Sequence, residues 1–495
     1  VIFMTQTRRE FLVKSGCALS MTALATQFEH FGLMSVLAQK SKKESGLTPP
    51  NDYRALVCVF LLGGNDGNNT IIPNHNDANV SNYAAYSSAR SAQGLALPQS
   101  QLLPISVPRI GGLSYGLHPS FGPVTGMPNN GLHELWAQGK MAIVTNVGTL
   151  IRPMTREQYQ NGSVSRPLQL FSHSDQTNQH QTCRADALSL SGWAGRIADK
   201  ISTTANPTRL IPTITTISGG NPFAIGENMQ PVSIGPAPTP LSNVLALVGN
   251  DNTPISLART NALNQSLNLD GNFELIGAAN QINRQAIEIS RSLESSQEVT
   301  VTFPNTELGN QLKQIARLIK NRAPLNVTRQ IFYCSLGGFD THTGQLGAHT
   351  GLFAQISQAM RAFYEEMIVQ GLQNQVTQFT MSDFNRTFNP GGSGANVGSD
   401  HAWANHQFVV GGSVIGGDFY GANTSNGTPF PTLVQNGPDD ADNGTAARGR
   451  WIPTTSVEQY ANTLSNWFGL AAADTNYVFP NLRNFTIANL GFMNP

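Results

Sequence analysis

Charge is scarce in this chain. Of 495 residues, 30 are Lys or Arg and 30 are Asp or Glu, so charged side chains make up 12% and the formal net charge is zero. That balance excludes a protein that holds nucleic acid through a basic surface. Cysteine is equally sparse: of four, Cys17 lies in the N-terminal segment, and Cys58, Cys183 and Cys334 remain beyond it. An odd number excludes a complete disulfide framework, and Cys58 and Cys334 sit in apolar runs as small core residues. Beyond the N-terminal segment no apolar run reaches the length of a membrane span, so none is expected in the mature chain. There is also no phosphate loop ending in Gly-Lys-Ser/Thr.

What is present begins with Thr7-Arg8-Arg9-Glu10-Phe11-Leu12 ahead of a modest apolar stretch that runs to Ala25. A paired arginine before such a stretch predicts a twin-arginine export signal, the twin-arginine export machinery as a partner, and a periplasmic or secreted protein. Cleavage is expected after Ala25 or Ala38, with the latter preferred, giving a signal over 1–38 and one α/β domain over 39–495. The other reading is an amphipathic N-terminal helix that stays attached.

Short apolar runs at Tyr53–Leu62, Lys140–Val147, Gln330–Leu336, Val376–Met381 and Gln407–Val410 predict strands buried on both faces. Helical periodicity covers Leu132–Gln138, Thr306–Asn321, Gly351–Gln370 and Val457–Phe468. Strands alternating with helices predict an α/β fold, a mostly parallel central sheet with helices on both faces. Residues 218–305, rich in Gly, Pro, Asn and Ser before a polar helix near Phe273–Ser296, read as an inserted cap or peripheral segment. Asn385–Gly398, dominated by Gly and Asn, reads as a flexible rim.

Acidic and histidine clusters stand at the ends of these runs, where sites form in such sheets. Gly63-Gly64-Asn65-Asp66-Gly67 is a turn that lets backbone approach a ligand, or a plain Gly/Asn/Asp turn. In Gly337-Gly338-Phe339-Asp340-Thr341-His342, Asp340 and His342 are two apart on an extended segment and can reach one metal, with helix capping by Asp340 the alternative. Asp383 and Arg386 follow the Val376–Met381 run. There Asp383 suits a metal and Arg386 an anionic substrate or a carboxylate, against a surface ion pair. Asp400-His401, with His406 nearby, is costly to bury without a cation. Ser172-His173-Ser174 places hydroxyls beside a possible acid/base histidine, or else caps a helix. For His118, in Gly116-Leu117-His118-Pro119, a structural use is expected.

Taken in order, LLGGNDGNNTIIP at Leu61–Pro73, GLHP, LFSHSDQ, GGFDTH, MSDFNRT, SDHAWANHQFVVGG and GRWIPTTSVEQY resemble the DUF1501 family of exported bacterial proteins. That family is in turn similar to the alkaline phosphatase and sulfatase superfamily. The resemblance implies an alkaline-phosphatase-like fold and one or two divalent metals (Zn, Mg, Mn or Ca) held by Asp66, Asp340, His342, Asp383, Asp400 and His401. It further implies a nucleophile from Ser172, Ser174 or Thr177, with His173 moving a proton and Arg386 steadying the anion. The expected activity is metal-dependent hydrolysis of phosphate or sulfate esters, with an anionic ester or surface glycan as partner. The alternative is a non-catalytic, metal-stabilised periplasmic or cell-surface binding protein. Departures from the family pattern are Asn385 and Ala402 where glycine is usual, His180 where Trp is common, and Asp-x-His in place of the phosphatase-like Asp-x-x-x-His.

Overall fold

The computed structural model describes residues 50–206, 211–241, 253–269, 274–293 and 297–495. The twin-arginine pattern and both cleavage positions lie outside the described residues. The main sheet is built from β1 (Arg54–Leu61), β2 (Met141–Gly148), β3 (Ile214–Thr216), β4 (Val232–Ser233), β5 (Arg329–Leu336), β6 (Val376–Ser382), β7 (Asn405–Gly411), β8 (Phe419–Tyr420) and β9 (Thr455–Ser456). Its order is β8-β2-β7-β6-β1-β5-β3-β4, with β9 also pairing β2. Every pairing is parallel except the two made by β7, so β7 alone runs against the rest.

β1 shows why the sheet is central. Its residues 55, 57, 59 and 61 join one apolar cluster and its residues 56, 58 and 60 join another, the two-sided burial expected of a strand between helical layers. The first cluster takes Leu308, Leu312 and Ile315 of the helix Glu307–Lys320, and Phe353, Ile356 and Met360 of Gln345–Val369. The second takes Trp193 and Ile197 of Trp193–Ala205, and Tyr460, Leu464 and Phe468 of Val457–Phe468. At roughly 25 cal/mol per Å² of apolar area removed from water, these two layers are the main support of the sheet. Val457–Phe468 starts with a capping box, Ser456 and Gln459 each satisfying the other's backbone N–H.

Two sequence readings need revising. Within 218–305, β4 completes one edge of the main sheet, and Ile289 and Leu293 reach the first core. The Asn385–Gly398 rim is not loose at its start: Asn385, Arg386, Thr387 and Phe388 are buried, because Asn385 Oδ1 accepts from Gly67 N at 2.8 Å and Thr387 N donates to Asp400 O at 2.9 Å. No described helix is long and apolar enough to cross a membrane.

Register brings the strand ends level. Leu61 of β1 pairs with Leu336 of β5 and with Ser382 of β6. The segments after those three strands therefore emerge side by side, and antiparallel β7 begins at that same end.

Candidate metal centre

Gly63, just past β1, has φ +110°, and a Cβ there would lie 2.4 Å from Asp340 N. Glycine lets the two strand-end loops touch. The Gly63 N–H donates to both carboxylate oxygens of Asp383 at 3.2 Å, which fixes the residue that follows β6. His173 opens the helix α1 (His173–Thr182) and enters from the side. His401 sits four residues before β7.

These residues converge on Asp340 Oδ1. His173 Nε2 lies 3.3 Å from it, His401 Nε2 3.4 Å and His342 Nε2 3.0 Å, while Arg386 donates to it at 2.9 Å. The imidazoles also meet one another, His173 Nε2 and His342 Nε2 each lying 3.1 Å from His401 Nε2. Two triangles thus share the His401–Asp340 edge, and His173, Asp340 and His401 form a compact set of metal-type donors.

The other ring nitrogens decide the tautomers. His173 Nδ1 faces Asp383 Oδ2 at 2.7 Å, His342 Nδ1 faces Asp400 Oδ1 at 3.0 Å, and His401 Nδ1 faces the Phe171 carbonyl at 2.8 Å. All three partners can only accept, so each Nδ1 carries a proton, and a ring without a second proton turns its Nε2 lone pair inward. Phe171 holds its carbonyl there from a φ of +69°, a conformation that costs a bulky residue on the order of 1–3 kcal/mol.

Lone pairs about 3 Å apart repel unless a cation lies between them, and that is the test of fit for a metal. Tetrahedral coordination with bonds of about 2.0–2.1 Å puts ligand atoms about 3.3 Å apart. The His173–His401–Asp340 triangle has edges of 3.1, 3.3 and 3.4 Å. The donor set fits. At Asp340 burial would raise the carboxyl, but the Arg386 hydrogen bond and charge, with the charges of His173 and His342, outweigh it and hold it below its ordinary range. For Asp400, burial is likewise outweighed by Arg448 and His342. Burial lowers His401, which keeps its ring neutral, whereas the Asp383 hydrogen bond raises His173.

The structure redistributes the roles expected from sequence. Asp340, His342 and His401 stand in the centre, and His173 joins them as a ligand-type group in place of a proton shuttle. Asp383 and Asp400 stand one step back, orienting His173 and His342; Asp400 also pairs with Arg448. Asp66 is not brought in. It is fully buried, caps Gly67–Thr70 through Asn68 N, and its other oxygen is taken by Arg90 and Gln345. Arg386 is buried and committed to Asp340, Gly63 O and Ser399 O, so it is not free to steady an anion. His406 is a core residue that accepts from Asn146 N at 3.2 Å and stacks on Phe430, with burial lowering it to about 3. His118, lowered by burial to about 3, caps Pro119–Phe121.

Of the hydroxyls, Ser172 Oγ donates to Asp175 Oδ2 at 2.6 Å and Ser174 Oγ to the same oxygen at 3.1 Å. Ser174 and Thr177 line a shallow cleft of about 570 Å³ beside the centre, with His173, Asp340, Asp383 and Gly337 among the other lining residues; Ser172 does not. Sequence reasoning missed Phe171, Arg448, Gln345 and Arg90. Arg448, Gln345 and Arg90 belong to none of the motifs, and Phe171, inside LFSHSDQ, contributes a backbone atom.

Comparison with solved structures finds loose likenesses. One is to "Crystal structure of Ps i-CgsB in complex with k-i-k-neocarrahexaose", with 8% identity, a TM-score of 0.31, and coverage of 88% of this chain and 77% of that one. Another is to "Crystal structure of PsFucS1 sulfatase from Pseudoalteromonas sp.", with 7% identity, a TM-score of 0.26, and coverage of 79% and 67%. Neither is close enough to bear on the site. No curated protein matches the sequence. The family model described as "Protein of unknown function (DUF1501)" matches residues 134–432, more than half of the chain, and the chain belongs to that family.

Proposed function

We propose that this chain is an exported, metal-dependent hydrolase of phosphate or sulfate esters, with His173, His401 and Asp340 as metal ligands and His342 beside them. The observation that carries the reading is the inward-facing set of Nε2 atoms around Asp340 Oδ1, each ring fixed from behind by an acceptor on Nδ1. Three imidazoles and one carboxylate suit zinc or another first-row transition ion better than magnesium or calcium, which prefer all-oxygen sites. Such an ion, when bound, supplies Lewis acidity to an ester oxygen.

The chain's own groups do the rest. Asp383, Asp400 and the Phe171 carbonyl hold the ring orientations, the kind of support that governs metal affinity. Arg386 braces Asp340 from the buried side. α1 begins at the cleft, and its amino-terminal dipole favours an anionic group there. Ser174, exposed at the cleft with Asp175 to accept its proton, is the nucleophile favoured by position, and Thr177 is the second hydroxyl. Export rests on the paired arginines Arg8 and Arg9.

The test is a metal-loaded preparation assayed on 4-nitrophenyl phosphate and 4-nitrophenyl sulfate, before and after chelation. The reading expects turnover that chelation abolishes and metal restores. Stoichiometric metal without turnover on either ester would favour the metal-stabilised binding protein; absence of both metal and turnover would end the reading.

A further inference from the structure

Three glycines line the cleft beside the metal centre: Gly63, Gly337 and Gly338. Two of them have a backbone reason to be glycine. Gly63 has φ +110° and would clash with Asp340 N, and Gly338 has φ +100°, a region that L side chains rarely adopt. Gly337 has neither reason. Its φ lies outside the left-handed region, and a Cβ built on it meets no atom within 4 Å. The fold would accept a side chain at 337, and the space such a side chain would take is the open cleft.

The rest of the lining says what that space suits. Its charged or titratable members, His173, Asp340 and Asp383, all belong to the metal centre. Leu62, Gly337, Gly338, Ser174, Thr177, Asn178 and Pro222 carry no charge, and among the described residues no Lys or Arg lines the cleft. A charged group placed against such a surface loses hydration without gaining a counter-ion. A cleft of about 570 Å³ is also within the range of small-molecule sites and far larger than a tetrahedral oxyanion.

We infer that Gly337 sets the specificity of the site: the ester it accepts carries a bulky, uncharged alcohol group that lies across Gly337, facing Thr177 and Asn178 of α1. This rests on the hydrolase reading above.

The experiment compares the metal-loaded wild type with Gly337→Ala and Gly337→Leu. The probes are 4-nitrophenyl phosphate and sulfate (uncharged alcohol), 4-carboxyphenyl phosphate and sulfate (charged alcohol), and inorganic phosphate and sulfate as oxyanions alone. Melting temperature and metal content are measured on each protein. The wild type is expected to favour the uncharged over the charged alcohol by about tenfold in kcat/KM. Gly337→Leu is expected to raise KM for the 4-nitrophenyl ester by about tenfold or more with much less change in kcat, the scale of losing a fitted pocket, and Gly337→Ala to fall between. Metal content, folding and oxyanion affinity should stay at wild-type values. An active wild type whose Gly337→Leu variant keeps its KM, or that prefers the charged alcohol, overturns this inference and leaves the hydrolase reading standing. A wild type without metal or turnover overturns the hydrolase reading and this inference with it.

Discussion

Asp66 and Asp340 begin from the same sequence grammar and end in opposite states. Each is the fourth residue of a Gly-Gly-x-Asp turn, Gly63-Gly64-Asn65-Asp66 after β1 and Gly337-Gly338-Phe339-Asp340 after β5, and the two strands lie side by side in register. Asp66 is fully buried against Arg90, Gln345 and Asn68 N. The Asp340 side chain is 49% exposed and faces three imidazoles and one guanidinium. The turn fixes where the carboxylate emerges. What it does there depends on partners supplied from far along the chain: Arg90 from the helix Tyr83–Arg90 closes one, while His173 and His401 leave the other facing the cleft. One carboxylate became a buried staple and the other a candidate ligand.

The contrast predicts unequal mutational costs. Asp66→Ala leaves Arg90 buried without its anion and is expected to lower unfolding free energy by about 3–5 kcal/mol in urea titrations, with metal content preserved in the folded fraction. If Asp66→Ala costs no more than Asp340→Ala, the division between staple and ligand collapses. A third carboxylate sharpens the comparison: Glu458 is buried with no ion pair among the described residues, and burial raises it to about 8 from 4.5. The folded state keeps that proton where the unfolded chain has released it, so stability is lost as pH rises from about 4.5 through 8. Glu458→Gln should therefore gain on the order of a few kcal/mol above pH 8 and almost nothing below pH 4.5; parallel pH profiles of the two proteins would contradict this. Next in size, Asp383→Asn should weaken metal binding by about 10–100-fold, read by competition with a chelator, with little change in the melting temperature of metal-free protein. The smallest effect is that of Asp340→Ala on the metal-free fold, about 1 kcal/mol, because the carboxylate is half exposed and buried Arg386 keeps its bonds to Gly63 O and Ser399 O.

Much of the fold was legible because its strands are continuous apolar runs. Tyr53–Leu62 became Arg54–Leu61, Gln330–Leu336 became Arg329–Leu336, and Val457–Phe468 was recovered with the same ends. β3 and β4 were not legible: three and two residues within a Gly- and Pro-rich stretch have no period to read. For the site, sequence gathered Asp340, His342 and His401 but could not assign the Asp383, Asp400 and Arg386 roles. Each of these is decided by which atom of a distant residue lies behind an imidazole or carboxylate. The adjacent pair Asp400-His401 illustrates the point, since Asp400 holds the His342 ring from behind while His401 itself faces the centre. His173 was singled out, yet its Nδ1 bond to Asp383, 210 residues away, is what turns Nε2 toward the centre. Phe171 acts through a carbonyl, and side-chain chemistry carries no trace of that.

The most direct test is elemental analysis of purified wild type beside Asp340→Ala, His401→Ala and Asp66→Asn. The account predicts a transition metal in stoichiometric amount in the wild type and in Asp66→Asn, and its loss from Asp340→Ala and His401→Ala. Equal metal in all four proteins, or metal lost only with Asp66→Asn, would contradict it.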